Sequence, residues 1–203
     1  MRNDELFFEK LLKHKLVAAI KKPKHIEIAL SLKNQLSGVF LLTGHIGVIK
    51  GYVDLFHTHQ LPVFLHLEKI GGLSTDSYGL DYLAKAIRPT GIITTKTAVV
   101  KAVKSLGLIT VQRFFLVDTE GLENIANSLR HAKPDIVEVM PARIPEMIDT
   151  VKSFTASPII TGGLLSERND AIECLKYGAT AVSTSKPKLW REPLHGIIPG
   201  KAI

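Results

Sequence analysis

The chain carries 203 residues, of which 45% are hydrophobic and 22% charged, a composition that builds one complete core and excludes a fibrous or disordered protein. The formal net charge of +7 points to an anionic partner such as a nucleic acid, a membrane surface or a phosphorylated metabolite; the lysines are scattered, with loose clusters only over 10–24 and 186–191. No apolar run reaches the roughly 18 residues of a membrane span, and MRNDELFFEKLLKHK is charged where a secretory leader is apolar, so one cytoplasmic domain over residues 1–203 is expected, with no membrane partner.

Eight short runs rich in Val, Ile, Leu and Thr follow one another along the chain. They are KLVAAI (15–20), GVFLLTG (38–44), LPVFLHLEK (61–69), GIITTK (91–96), LITVQRFFL (108–116), DIVEVMP (135–141), PIITGG (158–163) and ATAVSTS (179–185). Continuous apolar runs bounded by Gly, Pro and Asp suit strands covered on both faces, as in a parallel sheet.

Between them the period is helical. Leu80, Leu83, Ala84 and Ile87 share one face, as do Leu122, Ile125, Ala126 and Leu129, and again Ile144, Met147, Ile148 and Val151. Thr97 and Ser166 are expected N-caps, and Gly107 and Gly178 stand where a left-handed residue ends a helix. Strands alternating with helices of about ten to fifteen residues give the βαβ pattern, and eight such units predict a compact (βα)8 barrel with short loops. The competing open, doubly wound sheet calls for a glycine-rich loop after the first strand, and KLVAAIKKPKHIE has none. The first unit is the weakest, because Lys21, Lys22 and Pro23 follow its strand directly.

In such a barrel, phosphate binding belongs at the carboxyl ends of strands seven and eight. There Gly162 and Gly163 leave backbone uncovered, and Ser183, Thr184 and Ser185 supply hydroxyls and backbone donors, a cradle for a phosphate. Other strand ends carry Glu68, Lys96, Arg113 and Glu138, the expected polar contacts to the rest of a ligand. Alternation forbids Gln112 and Arg113 from both facing inward, and likewise Glu68 and Lys69. An interior carboxylate is costly unless paired, so Glu138 facing Lys96 or Arg113 reads either as an ion pair or as a ligand clamp.

The lone Cys174 permits no intrachain disulfide and reads as a buried, inert thiol. His57 and His59 share no helix face and complete no metal spacing, so no metal site is expected. His66 reads as a hydrogen-bonded interior residue, His45 stands at the binding end with a ligand role open, and Trp190 is expected to pack a short final helix against the barrel.

From GVFLLTG to SKPKLW the chain resembles the glycerol-3-phosphate responsive antiterminators, the glycerol uptake operon antiterminator regulatory proteins of bacteria. The motifs LHLEKIGGLSTDSYGLDYL, GIITTK, LITVQRFFL, DIVEVMP, ITGG and VSTSKPKLW carry the likeness. Departures from the family's usual residues are Glu68 for aspartate, Thr94 for serine and Ala142 for glycine. The resemblance implies a (βα)8 fold and a non-catalytic regulator that binds leader mRNA in response to glycerol 3-phosphate, with no cofactor. Two other readings stay open on the same scaffold. One is an enzyme acting on a small phosphorylated metabolite, with Lys96 as amine nucleophile and Glu138 as general base; the other is a sensor acting through a protein partner. The oligomeric state, a homo-oligomer included, is also open.

Overall fold

The computed structural model describes residues 3–198. Eight parallel strands close into a barrel in chain order: β1 Leu16–Ile20, β2 Gly38–Leu41, β3 Val63–His66, β4 Gly91–Thr94, β5 Ile109–Phe115, β6 Ile136–Met140, β7 Ile159–Gly162 and β8 Ala181–Thr184. β8 closes onto β1 with Ser183 opposite Val17. Each strand is followed by a helix: α2 Ile26–Ser31, α3 Ile49–Thr58, α4 Ser77–Tyr82, α5 Thr97–Lys104, α6 Thr119–Ala132, α7 Met147–Lys152, α8 Arg168–Lys176 and α9 Pro187–Trp190.

Several helices are shorter than the expected ten to fifteen residues, with six residues in each of α2 and α7, whereas α4 continues directly into a π-helical turn over Leu83–Ile87. The strands explain this, because four extended residues rise only about 13 Å, which a helix at about 1.5 Å per residue retraces in two or three turns. Two caps lie one residue from their expected places. Lys96 occupies the cap of α5 and Thr97 its first turn, where the Thr97 hydroxyl pairs with Ser128 Oγ. Glu167 caps α8, and Asp170 returns a bond to the cap nitrogen, completing a reciprocal capping box that offsets the loss of a hydroxyl cap.

Alternation along the strands separates two apolar layers. Leu16, Ala18, Val39, Leu41, Leu65 and Val182 face the helices, whereas Val17, Phe40, Phe64, Ile93, Val111, Ile136, Ile160 and Ala181 fill the barrel. The sequence reading assigned no element to residues 3–14. They form a further helix, α1 Asn3–His14, which stoppers the amino-terminal end of the barrel. Its Phe7 and Leu11 are buried with the interior layer, and the Phe7 ring stands 4.5 Å from that of Phe64. Since α1 closes one end, access to the interior is left to the carboxyl ends of the strands. Among the described residues no helix is long and apolar enough to cross a membrane.

Candidate functional site

A cavity of about 720 Å³ opens at the carboxyl ends of the strands, within the range of roughly 300–1,000 Å³ typical of small-molecule sites. Arg113, Gly163, Ser183, Thr184 and Ser185, all expected in the site, line it. Lys21, Lys69 and Lys186, which the sequence reading did not assign to the site, line it too, beside the apolar Leu42, Phe115, Met140 and Leu164. No carboxylate lies in the wall, and Lys21, Lys69 and Lys186 have no ion-pair partner among the described residues. The cavity mouth therefore concentrates positive charge, which draws in anions.

Gly162 does not face the cavity. A Cβ built on it would stand 2.1 Å from Ser183 Oγ and 2.8 Å from the Ser183 carbonyl oxygen, so its bare backbone is a gap through which the neighbouring strand's hydroxyl passes. The reason is visible one strand further on. Ser183 Oγ, on β8, donates across β7 to Oε1 of Glu138 on β6 at 2.7 Å, and Arg113 Nε, on β5, donates to Glu138 Oε2 at 2.6 Å. Glu138 is fully buried and Arg113 is 5% exposed. Glu138 is ion-paired, and the partner is Arg113 rather than Lys96. Gln112, one residue away, points outward to Thr97 and Ser128. Gly163 has φ +78° and Leu164 φ +58°, two successive left-handed residues that turn the chain out of β7 and present Leu164, 70% exposed, at the rim.

Glu68 and Lys96 sit outside the cavity wall. Beyond His66 the chain turns into a single 3₁₀ turn over Leu67–Lys69, which defeats the alternation assumed for an extended strand. Glu68 accepts from the Thr94 hydroxyl and the Thr95 amide, and its Oε2 lies 3.0 Å from His66 Nδ1, off the line of an ideal hydrogen bond. It thus ties the β3 turn to the end of β4 and leaves Lys69 facing the mouth. Burial pushes the Glu68 carboxyl up, but the adjacent His66 ring and the hydrogen bond from Thr94 outweigh it and lower it from 4.5 to about 2. A folded value below the unfolded one stabilises the fold above about pH 4.5, and this contribution is lost as pH falls toward 2. Replacing Glu68 by Gln is expected to flatten the acid limb of stability in that window, measured by urea unfolding at a series of pH values.

Lys96 is exposed at the cap of α5 and Glu138 is held by Arg113 and Ser183, so the amine and base of the enzyme reading are not brought together. His45 is exposed, and its Nδ1 accepts from the Gly47 amide at 3.2 Å. The Cys174 thiol is fully buried, donates to the Ala142 carbonyl, and is pushed up by burial to about 12.

Comparison with known proteins agrees with this architecture. Relatives along nearly the whole chain include the Escherichia coli K12 protein YgcP, 27% identical over 180 residues, which are 89% of this chain and 93% of that protein. Among solved structures, the glycerol uptake operon antiterminator regulatory protein of Listeria monocytogenes superposes with a TM-score of 0.83 at 28% identity, covering 88% of this chain and 95% of its own. A glycerol uptake operon antiterminator-related protein of Thermotoga maritima superposes with a TM-score of 0.77 at 25% identity, covering 88% and 99%. The family model described as glycerol-3-phosphate responsive antiterminator matches residues 16–190, from the first residue of β1 to the last of α9, and the chain belongs to that family.

Proposed function

We propose that the chain senses glycerol 3-phosphate at the barrel mouth and, in the liganded state, binds the leader mRNA of a glycerol utilisation operon, allowing transcription to continue. The observation that carries this reading is the wall of the mouth, where three lysines without ion-pair partners among the described residues stand beside Arg113, which Glu138 pairs from behind. A phosphate dianion supplies the missing counter-charge, while the glycerol hydroxyls need acceptors. Ser183 Oγ, its proton committed to Glu138, offers one. Family membership and the names of the Listeria and Thermotoga proteins support the same ligand and role, and the net charge of +7 suits an RNA partner. The ligand acts on RNA binding only through a difference in its affinity for the RNA-competent and RNA-incompetent states.

Calorimetric titration tests the first half. Glycerol 3-phosphate should bind and glycerol should not, and Lys186→Ala should weaken the phosphorylated ligand by about tenfold or more, the loss of one charge-assisted bond of about 1.5–3 kcal/mol. Equal affinity for the two compounds would sink the phosphate reading. For the second half, retention of the leader transcript should fall steeply with salt and rise with glycerol 3-phosphate, and a flat response to both would remove the RNA.

A further inference from the structure

A second cationic cleft lies at the opposite end of the barrel. Lys13 and His14 immediately precede β1, and Asn34 and Gln35 precede β2. With Arg191, Pro193 and His195 from the chain beyond α9, they line a groove of about 570 Å³. No Asp or Glu lines it, and neither Lys13 nor Arg191 has an ion-pair partner among the described residues. Lys10 and Lys15 flank it, their ammoniums donating to the carbonyls of Lys33 and Leu12. The local field registers on His14, whose ring is held below its usual range first by burial and then by Lys10, Lys13, His195 and Lys15. Beside these charges the groove carries neutral amides, Asn34 exposed and Gln35 half-buried.

We infer that this amino-terminal groove is the RNA-binding surface, with Lys13, Arg191 and His195 on backbone phosphates and the exposed Asn34 amide on a ribose 2′-hydroxyl or an exposed base edge. The inference rests on the RNA reading of the preceding subsection and adds where the RNA lies. RNA fits because it alternates phosphates with hydrogen-bonding hydroxyls and base edges at short intervals, and the groove offers cations beside an exposed amide. The placement also avoids an electrostatic conflict. RNA laid over the mouth would meet a bound phosphate dianion in the same positive field, whereas at the amino-terminal end the strands and α1 separate the two anions. One short segment touches both sites: Lys186 lines the mouth, and Arg191 and His195 line the groove. Between them Trp190, fully buried, donates from Nε1 to the carbonyl of Thr184 at 2.8 Å, fastening this segment to a strand end that lines the mouth.

The test compares the full-length wild type with the double variant Lys13→Ala/Arg191→Ala, using a fluorescently labelled leader transcript and a salt series with and without glycerol 3-phosphate. Two lost phosphate contacts should make the slope of log affinity against log salt shallower by about 1.4, at about 0.7 per contact on single strands, and weaken binding about tenfold or more at low salt. Titration of the double variant with glycerol 3-phosphate alone should match wild type, showing the fold and mouth intact. Lys13→Glu/Arg191→Glu should deepen the loss by adding repulsion. Wild-type retention of the transcript with unchanged affinity and slope in both double variants would overturn the groove while leaving RNA binding standing. A wild type that retains no transcript under any condition would overturn both.

Discussion

Arg113→Met is expected to destabilise the fold by about 3–5 kcal/mol, because it strands the Glu138 carboxylate inside the barrel with Ser183 as its remaining partner. Urea unfolding at neutral pH without ligand reads the loss, since a ligand bound only to the native state would mask part of it. Glu138→Leu should cost a comparable amount by leaving the guanidinium unpaired. The double variant Arg113→Met/Glu138→Leu should recover most of the stability, since two apolar side chains replace a pair whose mutual attraction mainly offsets its own desolvation. Glycerol 3-phosphate affinity is expected to stay low in that double variant, because Arg113 lines the mouth and Ser183 loses the acceptor that orients its hydroxyl. A stable single variant, within about 1 kcal/mol of wild type, would show that Glu138 is not the buried, paired carboxylate seen here.

The same network shows which parts of the site were legible in the sequence. Alternation along LITVQRFFL and DIVEVMP placed Arg113 and Glu138 as candidates for one interior pair, and the register puts them opposite each other on adjacent strands. The choice between Lys96 and Arg113 was not legible, because it depends on where β4 ends. Thr94 is the last strand residue, and Lys96 already caps a helix. Gly162 misled for a related reason. A bare backbone in a strand signals a close approach by something, and sequence alone does not say whether that is a ligand or a neighbouring side chain; here it is Ser183.

Lys21, Lys69 and Lys186 shared a signal that went unused, since each is a basic residue within three positions of a strand's carboxyl end. Many surface lysines answer that description, and only the closed ring of strands brings these three to one cavity. The eight strands, by contrast, were legible in number, order and position, because burial on both faces writes itself as an apolar run, although runs such as 61–69 extend past the strand they contain into the turn that follows. Helix α1 was not, although Phe7, Leu11 and His14 fall at helical spacing; its apolar side is narrow, and its target is the end of a barrel that sequence does not display.

Trp190→Phe separates packing from communication. Most of the buried ring volume is kept, but the Thr184 carbonyl loses the indole N–H, an orphaned buried acceptor that costs about 1–3 kcal/mol. Trp190→Ala should cost about 3–5 kcal/mol, since it also opens a cavity among α9, β1 and β8. The stability loss of the Phe variant is modest, so its binding remains measurable, and there the position of Trp190 between the two sites has its consequence. If the segment from Lys186 to His195 carries the linkage, glycerol 3-phosphate should raise RNA affinity less in Trp190→Phe than in wild type, with RNA affinity in the absence of ligand little changed. By reciprocity RNA should then raise ligand affinity less, by the same factor. Titrations in both directions measure that factor twice. An undiminished factor in a folded Phe variant would show that the two ends of the barrel communicate by another route.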